Sequence, residues 1–378
     1  MKIICFLFDP NVGGPTIRSR QISGVLRNEN IEVQFALPGT DGTALHYLEE
    51  AGFVVHDLKI SKPVLPNKPL KFLKFVLKVP VSLARLVGFL RRENPDVVHI
   101  NGAFDILPAI AAKLAGTPVV WQLNDMLFGT RLSSILGRFV GTISDVVAIS
   151  SSPVAQHYNI RRYTPTVLPV PVDTARYTVK SFPLDGSVCV GLVGNWNPLK
   201  RQGDFIAVLN QLKCDGFDVT GRMYGKLLDS QKSYWSPLLR EIESLDLGDI
   251  VTVEGFVSDI PNALQSVDIL LVTSQSEAGP LSCIEAMASG IPVVSYAVGD
   301  VQKMLDPNGA APAGIVTPVA DLDSLIDACR TLLHDRTKGQ EMGRNGRERA
   351  KKLYDLACVA PQTAKAYRLA AKNGRTEK

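Results

Sequence analysis

The chain alternates between short apolar runs rich in β-branched residues and longer stretches with helical spacing. The first half gives "KIICFLF" (2–8), "IEVQFAL" (31–37), "FVVHDL" (53–58), "DVVHIN" (96–101), "PVVWQL" (118–123) and "VVAIS" (146–150). The second half gives "VCVGLVG" (188–194), "DVTGRMYG" (218–225), "DIVTVEGF" (249–256), "DILLVTS" (268–274), "PVVSYAV" (292–298) and "GIVTPV" (314–319). Most gaps read as helices, among them 15–29, 104–115, 201–215 and 321–334. Strands apolar on both faces and separated by helices belong to parallel sheets covered on both sides. The series runs twice, which predicts an α/β protein of two doubly wound, Rossmann-like domains facing each other across a cleft. The seam falls in "VPVDTARYTVKSFPLDGS" (170–187), rich in proline and polar residues. The expected domains are 1–172 and 187–355, with 356–378 a last helix crossing back to the first domain.

Composition agrees with that division. A chain of 378 residues with 46% hydrophobic content is too long for one ordinary core. The net charge of +4 is too small to imply nucleic acid, and none is expected as a partner. Cysteines 5, 189, 214, 283, 329 and 358 form no C-x-x-C pair and read as free, mostly buried thiols. The opening "MKIICFLFDPNVGG" reads as a first strand rather than a signal peptide. No apolar run reaches the roughly 18 residues of a membrane span. The expected location is the cytoplasm, including the inner face of the membrane.

The segment "NKPLKFLKFVLKVPVSLARLVGFLRRE" (67–93) has no acidic residue between Lys68 and Arg92. Lys71, Lys74 and Lys78 share one helical face, and Pro80 is expected to break or kink the helix. Two readings stand side by side. One is a helix pair with a solvated basic edge; the other is an interfacial helix over 68–92 on an anionic membrane surface.

Ligands of open parallel sheets bind beyond the carboxyl ends of the strands, so the loops after strands carry the candidate chemistry. The stretch "SQSEAGPLSCIEAMASGIPVVS" (274–295) is such a loop followed by a helix that begins at Pro280 and stops at Gly290. The free amides of its first turn favour an anion, phosphate especially. Glu277 before the helix can accept from a polyol, and Glu285 within it from two vicinal hydroxyls. Sugar, diphosphate and ribose in that order describe a nucleotide sugar. A capping carboxylate plus a surface glutamate is the plainer alternative.

The pattern E-x7-E followed by "AMASGIPVV" resembles glycosyltransferase family 4, retaining nucleotide-sugar transferases of GT-B fold. The likeness extends to Gly13-Gly14, "PDVVHINGAFDILPAIAAKLAGTPVVWQLND" (95–125), "GNWNPLKRQGD" (194–204) and "GIVTPVADLDSL" (314–325). The resemblance implies that Glu277 contacts donor-sugar hydroxyls, that Glu285 holds the ribose, and that Gly279, Pro280 and Leu281 line the diphosphate. The family usually shows G-R-L-x-x-x-K-G after the first strand of the second domain. Gly194 and Lys200 match it, whereas Asn195 replaces the arginine and Arg201 the last glycine. Val316 lies in the matching late strand on the donor side. Gly13, Gly14, Arg18 and Asp125 fall on the glycine-loop and acceptor side. Asn124 stands where the family commonly has a histidine.

The implied activity is transfer of a hexose or related sugar from a UDP- or GDP-sugar to a saccharide or lipid-linked acceptor, with retention, in cell-surface polysaccharide or glycolipid synthesis. Glu277, Lys200 and Asn124 are the candidate catalytic residues. A nucleotide-sugar epimerase of the same fold and a non-catalytic nucleotide-sugar binder are the alternatives. Histidines 46, 56, 99, 157 and 334 lack metal-site spacing, and no D-x-D falls near the expected cleft, so no metal and no cofactor are expected.

Overall fold

The computed structural model describes residues 1–60, 69–126, 129–160 and 164–376. Contacts divide the chain into two compact units, Met1–Pro171 with the segment from Leu356, and Val172–Asp355. The first holds seven parallel strands: β1 (Lys2–Leu7), β2 (Glu32–Leu37), β3 (Val55–Asp57), β4 (Val97–Asn101), β5 (Val119–Leu123), β6 (Val146–Ile149) and β7 (Thr166–Val167), in the order β3-β2-β1-β4-β5-β6-β7. The second holds six: β8 (Val188–Val193), β9 (Val219–Tyr224), β10 (Val251–Gly255), β11 (Ile269–Val272), β12 (Val293–Tyr296) and β13 (Gly314–Thr317), in the order β10-β9-β8-β11-β12-β13. The two doubly wound domains read from the sequence are thus present. Strands β4, β5, β6, β11 and β12 are buried at every residue, because helices cover both faces.

In the first unit, α1 (Gly14–Leu26), α2 (Ala44–Glu49), α3 (Pro69–Glu93), α4 (Ile106–Ala115), α5 (Thr130–Ile143) and α6 (Ser152–His157) connect the strands. In the second, α7 (Gln202–Cys214), α8 (Lys232–Ser244), α9 (Ile260–Ala263), α10 (Leu281–Ser289) and α11 (Val301–Leu305) do so, and α12 (Leu322–His334) and α13 (Arg336–Leu353) follow the last strand. The last helix, α14 (Leu356–Thr376), packs against α1, and its Val359, Ala360, Ala364, Tyr367 and Ala370 join the core around Ile3, Cys5 and Phe35.

Two local outcomes differ from the sequence pattern. Pro80 does not break α3, which runs unbroken through it. Pro80 is exposed, so the Val76 carbonyl that loses its donor is left to water rather than buried unpaired. The polar seam, which the sequence left between the two expected domains, belongs to the second unit. Tyr177 and Phe182 are buried, and the Lys180 amide donates to the Ser289 carbonyl at 2.9 Å, so residues 172–186 pack on the second unit.

The C-terminal end of α10 is held tightly. A Cβ added to Gly343 of α13 would lie 2.1 Å from the Gly290 carbonyl oxygen, and the Arg347 guanidinium donates to the carbonyls of Ala288 and Thr174. We expect Gly343→Leu to destabilise the second unit by about 1–3 kcal/mol through overpacking. Thermal unfolding checks this, and a wild-type midpoint would show that the two helices can part at no cost.

Candidate active site

Strand order reverses between β8 and β11, since one connection leads outward to β9 and the other to β12. The carboxyl ends of these two strands therefore flank a crevice that no connection covers. Lys200, from the loop after β8, and Glu277, from the loop after β11, meet there: Lys200 Nζ donates to Glu277 Oε1 at 2.5 Å. The Ser274 hydroxyl donates to the same oxygen at 2.8 Å. The loops are also tied by backbone. The Gln275 amide donates to the Leu199 carbonyl at 2.7 Å, and the Thr273 hydroxyl to the Lys200 carbonyl at 2.6 Å. Gly194 leaves room for the lysine stem, since a Cβ there would sit 3.1 Å from Lys200 Cε.

Helix α10 opens one residue later than the sequence suggested, with Pro280 as its N-cap rather than its first residue. The amides of Leu281 and Ser282 begin the helix, where no intrahelical carbonyl can reach them. Glu285 lies one turn along, and Tyr177 Oη donates to its Oε1 at 3.1 Å. Burial pushes the Glu285 carboxyl up to about 7, and the bond from Tyr177 only partly opposes that rise. Tyr177 escaped the sequence reading. Its one signal was that it is, with Phe182, one of two aromatic residues in the seam. Val316 sits in β13, beside Ser295 of β12 and two strands from β11.

The two departures from the family pattern have clear local partners. Asn195 Oδ1 accepts from the Lys226 amide at 2.9 Å, so this side chain closes one loop on another. Arg201 adopts a left-handed backbone (φ 47°) and donates to both oxygens of Asp204, at 2.8 and 3.1 Å. Tyr296 Oη donates to Asp204 at 2.7 Å. Lys200 thus faces the crevice carboxylate, while Arg201 is held by an acid of its own helix.

The first unit reverses its strand order between β1 and β4. Gly13 is the N-cap of α1 and Gly14 its first residue. Arg18 does not project outward: it is 5% exposed, and its Nη1 donates to Asn124 Oδ1 at 2.7 Å while Nη2 donates to the Leu168 carbonyl at 2.8 Å. Burial lowers its pKa to about 10. Asn124 in turn donates to Asn101 Oδ1 at 2.7 Å, and Asn101 to the Ser19 hydroxyl at 2.7 Å. Asp125 accepts from Tyr158 Oη at 3.2 Å. His99 is buried beside Tyr367 Oη at 2.8 Å, and burial pushes its imidazole down to about 3, so it is neutral. Asp105, the N-cap of α4, is buried and its carboxyl is pushed up to about 7. The sequence reading passed over Asn101 and Asp105, although Asn101 ends strand β4 and Asp105 follows it. Among the described residues, no cluster of His, Cys, Asp and Glu could hold a metal.

Two family models match the chain: Glycosyltransferase Family 4 over residues 12–176 and Glycosyl transferases group 1 over 178–349. An MMP alpha-(1->4)-mannosyltransferase of Mycolicibacterium hassiacum is 28% identical over 237 residues, 61% of this chain and 55% of that protein. The chain thus spans little more than half the length of that relative. An N-acetyl-alpha-D-glucosaminyl L-malate synthase of Bacillus anthracis is 24% identical over 371 residues, 92% of this chain and 90% of that protein. In fold, the chain is similar to Anabaena Alr3699/HepE solved with UDP, with a TM-score of 0.80 and 22% identity over 97% of this chain and 99% of that one.

The Glu277 loop leans on Gly299, whose backbone is left-handed (φ 57°) and whose added Cβ would lie 2.5 Å from the Glu277 carbonyl oxygen. We expect Gly299→Ala to move Glu277 off Lys200 and to cost about 1–3 kcal/mol in strain and displacement. A crystal structure of the variant with the 2.5 Å ion pair intact would show that the loop does not depend on this glycine.

Proposed function

We propose that the chain, which belongs to the family 4 glycosyltransferases, transfers a hexose or related sugar from a nucleoside-diphosphate donor to a saccharide or lipid-linked acceptor, with retention of configuration. The observation that carries this reading is the Lys200–Glu277 pair in the β8/β11 crevice, with the α10 amides and Glu285 following in sequence. Lys200 and the amides of Leu281 and Ser282 supply positive charge for a diphosphate. Glu277 accepts from hydroxyls of the donor sugar, and Glu285 accepts from the ribose. HepE, similar in fold, is solved with UDP and with UDP-glucose, which supports a uridine donor. The relatives named above are a transferase and a synthase, and neither favours an epimerase.

In this reading the C1–O bond to the diphosphate breaks as an oxocarbenium-like centre forms. The acceptor oxygen bonds to C1 from the same face, and its proton passes to the departing phosphate oxygen. The protein contributes charge at the leaving group and position, and no step calls for a metal. Asn124, held between Arg18 and Asn101, offers a fixed amide to the substrate where relatives commonly carry histidine. The reaction belongs at the cytoplasmic face of a membrane if the acceptor is lipid-linked.

Glu285 gives a pH test with a definite sign. Its carboxyl is raised to about 7, so between about 4.5 and 7 the folded chain holds a proton that the unfolded chain has released. Its contribution to stability therefore falls as pH rises through that window. A ribose diol donates to the ionised form, so binding draws the pKa down. Nucleotide-sugar binding should strengthen roughly tenfold from pH 6 to pH 8, one pKa unit per tenfold. Calorimetry with UDP-glucose, which has no phosphate group titrating in this range, should show proton release that disappears in Glu285→Gln. Binding independent of pH would remove Glu285 from the ribose site.

Lys200→Ala and Glu277→Gln should each lower turnover by about 10- to 150-fold, the worth of a hydrogen bond to a charged group. Arg201→Ala should lower the melting point more than turnover, since its partner is Asp204. Assays of nucleotide released in the presence of acceptor decide it. A larger catalytic loss in Arg201→Ala than in Lys200→Ala would mean that the clamp runs through Arg201.

A further inference from the structure

Helix α3 has two apolar faces. The inner one, with Ser82, Leu86, Phe89 and Leu90, is buried, and Phe89 meets His56 of β3 with ring centroids 5.0 Å apart. The outer one carries Leu70, Leu73, Leu77 and Val81, which are 77%, 56%, 71% and 56% exposed. Spacings of three and four residues put these on a single stripe. Lys74, Lys78 and Arg85 are exposed along its edge. Lys68 and the side chain of Lys71, part of the basic stretch read from the sequence, lie outside the described residues.

The surface does not end with α3. Helix α4 packs between α3 and α5, and α5 is anchored on the same sheet by Phe139 against Trp121, with centroids 5.9 Å apart. On its outer side α5 exposes Leu132 at 53% and Ile135 at 65%, flanked by the exposed Arg131 and Arg138. Across all three helices the sole acidic residue is Glu93, which is paired with Lys2 at 3.0 Å.

A layer with exposed apolar residues, basic residues beside them and no acid but the paired Glu93 is complementary to one kind of surface. A second copy of the same face would oppose like charges. A protein partner with an apolar core would leave the lysines and arginines idle. An anionic bilayer takes both, with headgroups meeting the cations and the acyl boundary taking the leucines. No described helix is long and apolar enough to cross a membrane, so such contact is made in the interfacial plane. We infer that the α3–α5 face docks the chain on an anionic phospholipid surface, with α5 as a second anchor beside α3. The inference supplies a setting for the lipid-linked acceptor proposed above, but it stands on its own residues.

The test is co-sedimentation of the whole chain with phosphatidylcholine vesicles, with and without phosphatidylglycerol, at low and high salt. Binding should require phosphatidylglycerol and fall with salt. It should weaken by roughly tenfold or more in the double variant Lys74→Glu, Lys78→Glu, where each basic residue near the surface counts. Leu73→Ser with Leu77→Ser, and separately Leu132→Ser with Ile135→Ser, should also weaken it, while melting stays unchanged because the four side chains are exposed. Absent binding, equal binding to pure phosphatidylcholine, or indifference to both pairs of serines overturns the inference. So does a concentration-dependent dimer that the Leu73→Ser, Leu77→Ser variant dissolves. UDP-glucose binding measured on the same samples separates the two readings: vesicle binding without nucleotide-sugar binding sinks the transferase proposal and leaves the docking face standing.

Discussion

The arrangement rests on one topological constraint, the reversal of strand order at β1/β4 and again at β8/β11. Right-handed crossovers force connections on either side of a reversal onto opposite faces of the sheet. The strand ends at that point are left without a covering helix, and only loops reach over them. Every strong candidate residue in the second unit follows from this. Lys200 and Glu277 come from sequence positions far apart, yet they meet because β8 and β11 are neighbours. The ion pair is a consequence of sheet order. It forms between two loops that already exchange hydrogen bonds through Leu199, Thr273 and Gln275.

Burying charge at such a place is costly unless each group is held, and the two units solve this differently. In the second unit Lys200 and Glu277 neutralise each other. In the first, Arg18 is buried and donates to carbonyl and amide oxygens, so the positive charge is solvated by dipoles of the chain itself. The cost appears in its lowered pKa. What the arginine supports is Asn124, which it fixes from one side while Asn101 fixes it from the other. A histidine at Asn124 would bring a second group able to carry charge beside a buried cation. The amide avoids that repulsion.

Much of this was legible in the sequence. Apolar runs with β-branched residues gave the strands, and glycine and proline marked α10 at Pro280 and Gly290 to within one residue. The spacing from Glu277 to Glu285 was readable because a short loop and one helix turn fix where both point. What stayed hidden depended on distant pairing. The tie between Asn195 and Lys226 joins loops after β8 and β9, and the Arg201–Asp204–Tyr296 group draws on β12. The burial of Arg18 also stayed hidden, because its spacing from Gly14 says nothing about carbonyls at 168 and 169. Pro80 leaves α3 unbroken because a helix tolerates proline on its wet side, and the wet side is set by α4 and the sheet.

The seam between the units shows how the same distant pairing reaches the candidate ribose carboxylate. The chain passes between the units at two places, 171–172 and 355–356. On the second unit the two passing segments are bonded to each other: the Val172 amide donates to the Tyr354 carbonyl at 2.8 Å, and the Thr174 amide donates to Asp355 at 3.2 Å. Three residues beyond Thr174, Tyr177 donates to Glu285, and Lys180 bonds the end of the same helix. The passing segments and α10 are therefore one hydrogen-bonded body, with Arg347 holding Thr174 and Ala288 together from α13. The partly buried carboxylate depends on that body for its partner, because a carboxyl raised to about 7 is easily protonated when its one neutral donor is lost. The polar, proline-rich seam thus supplies, through Tyr177, part of the surroundings of Glu285.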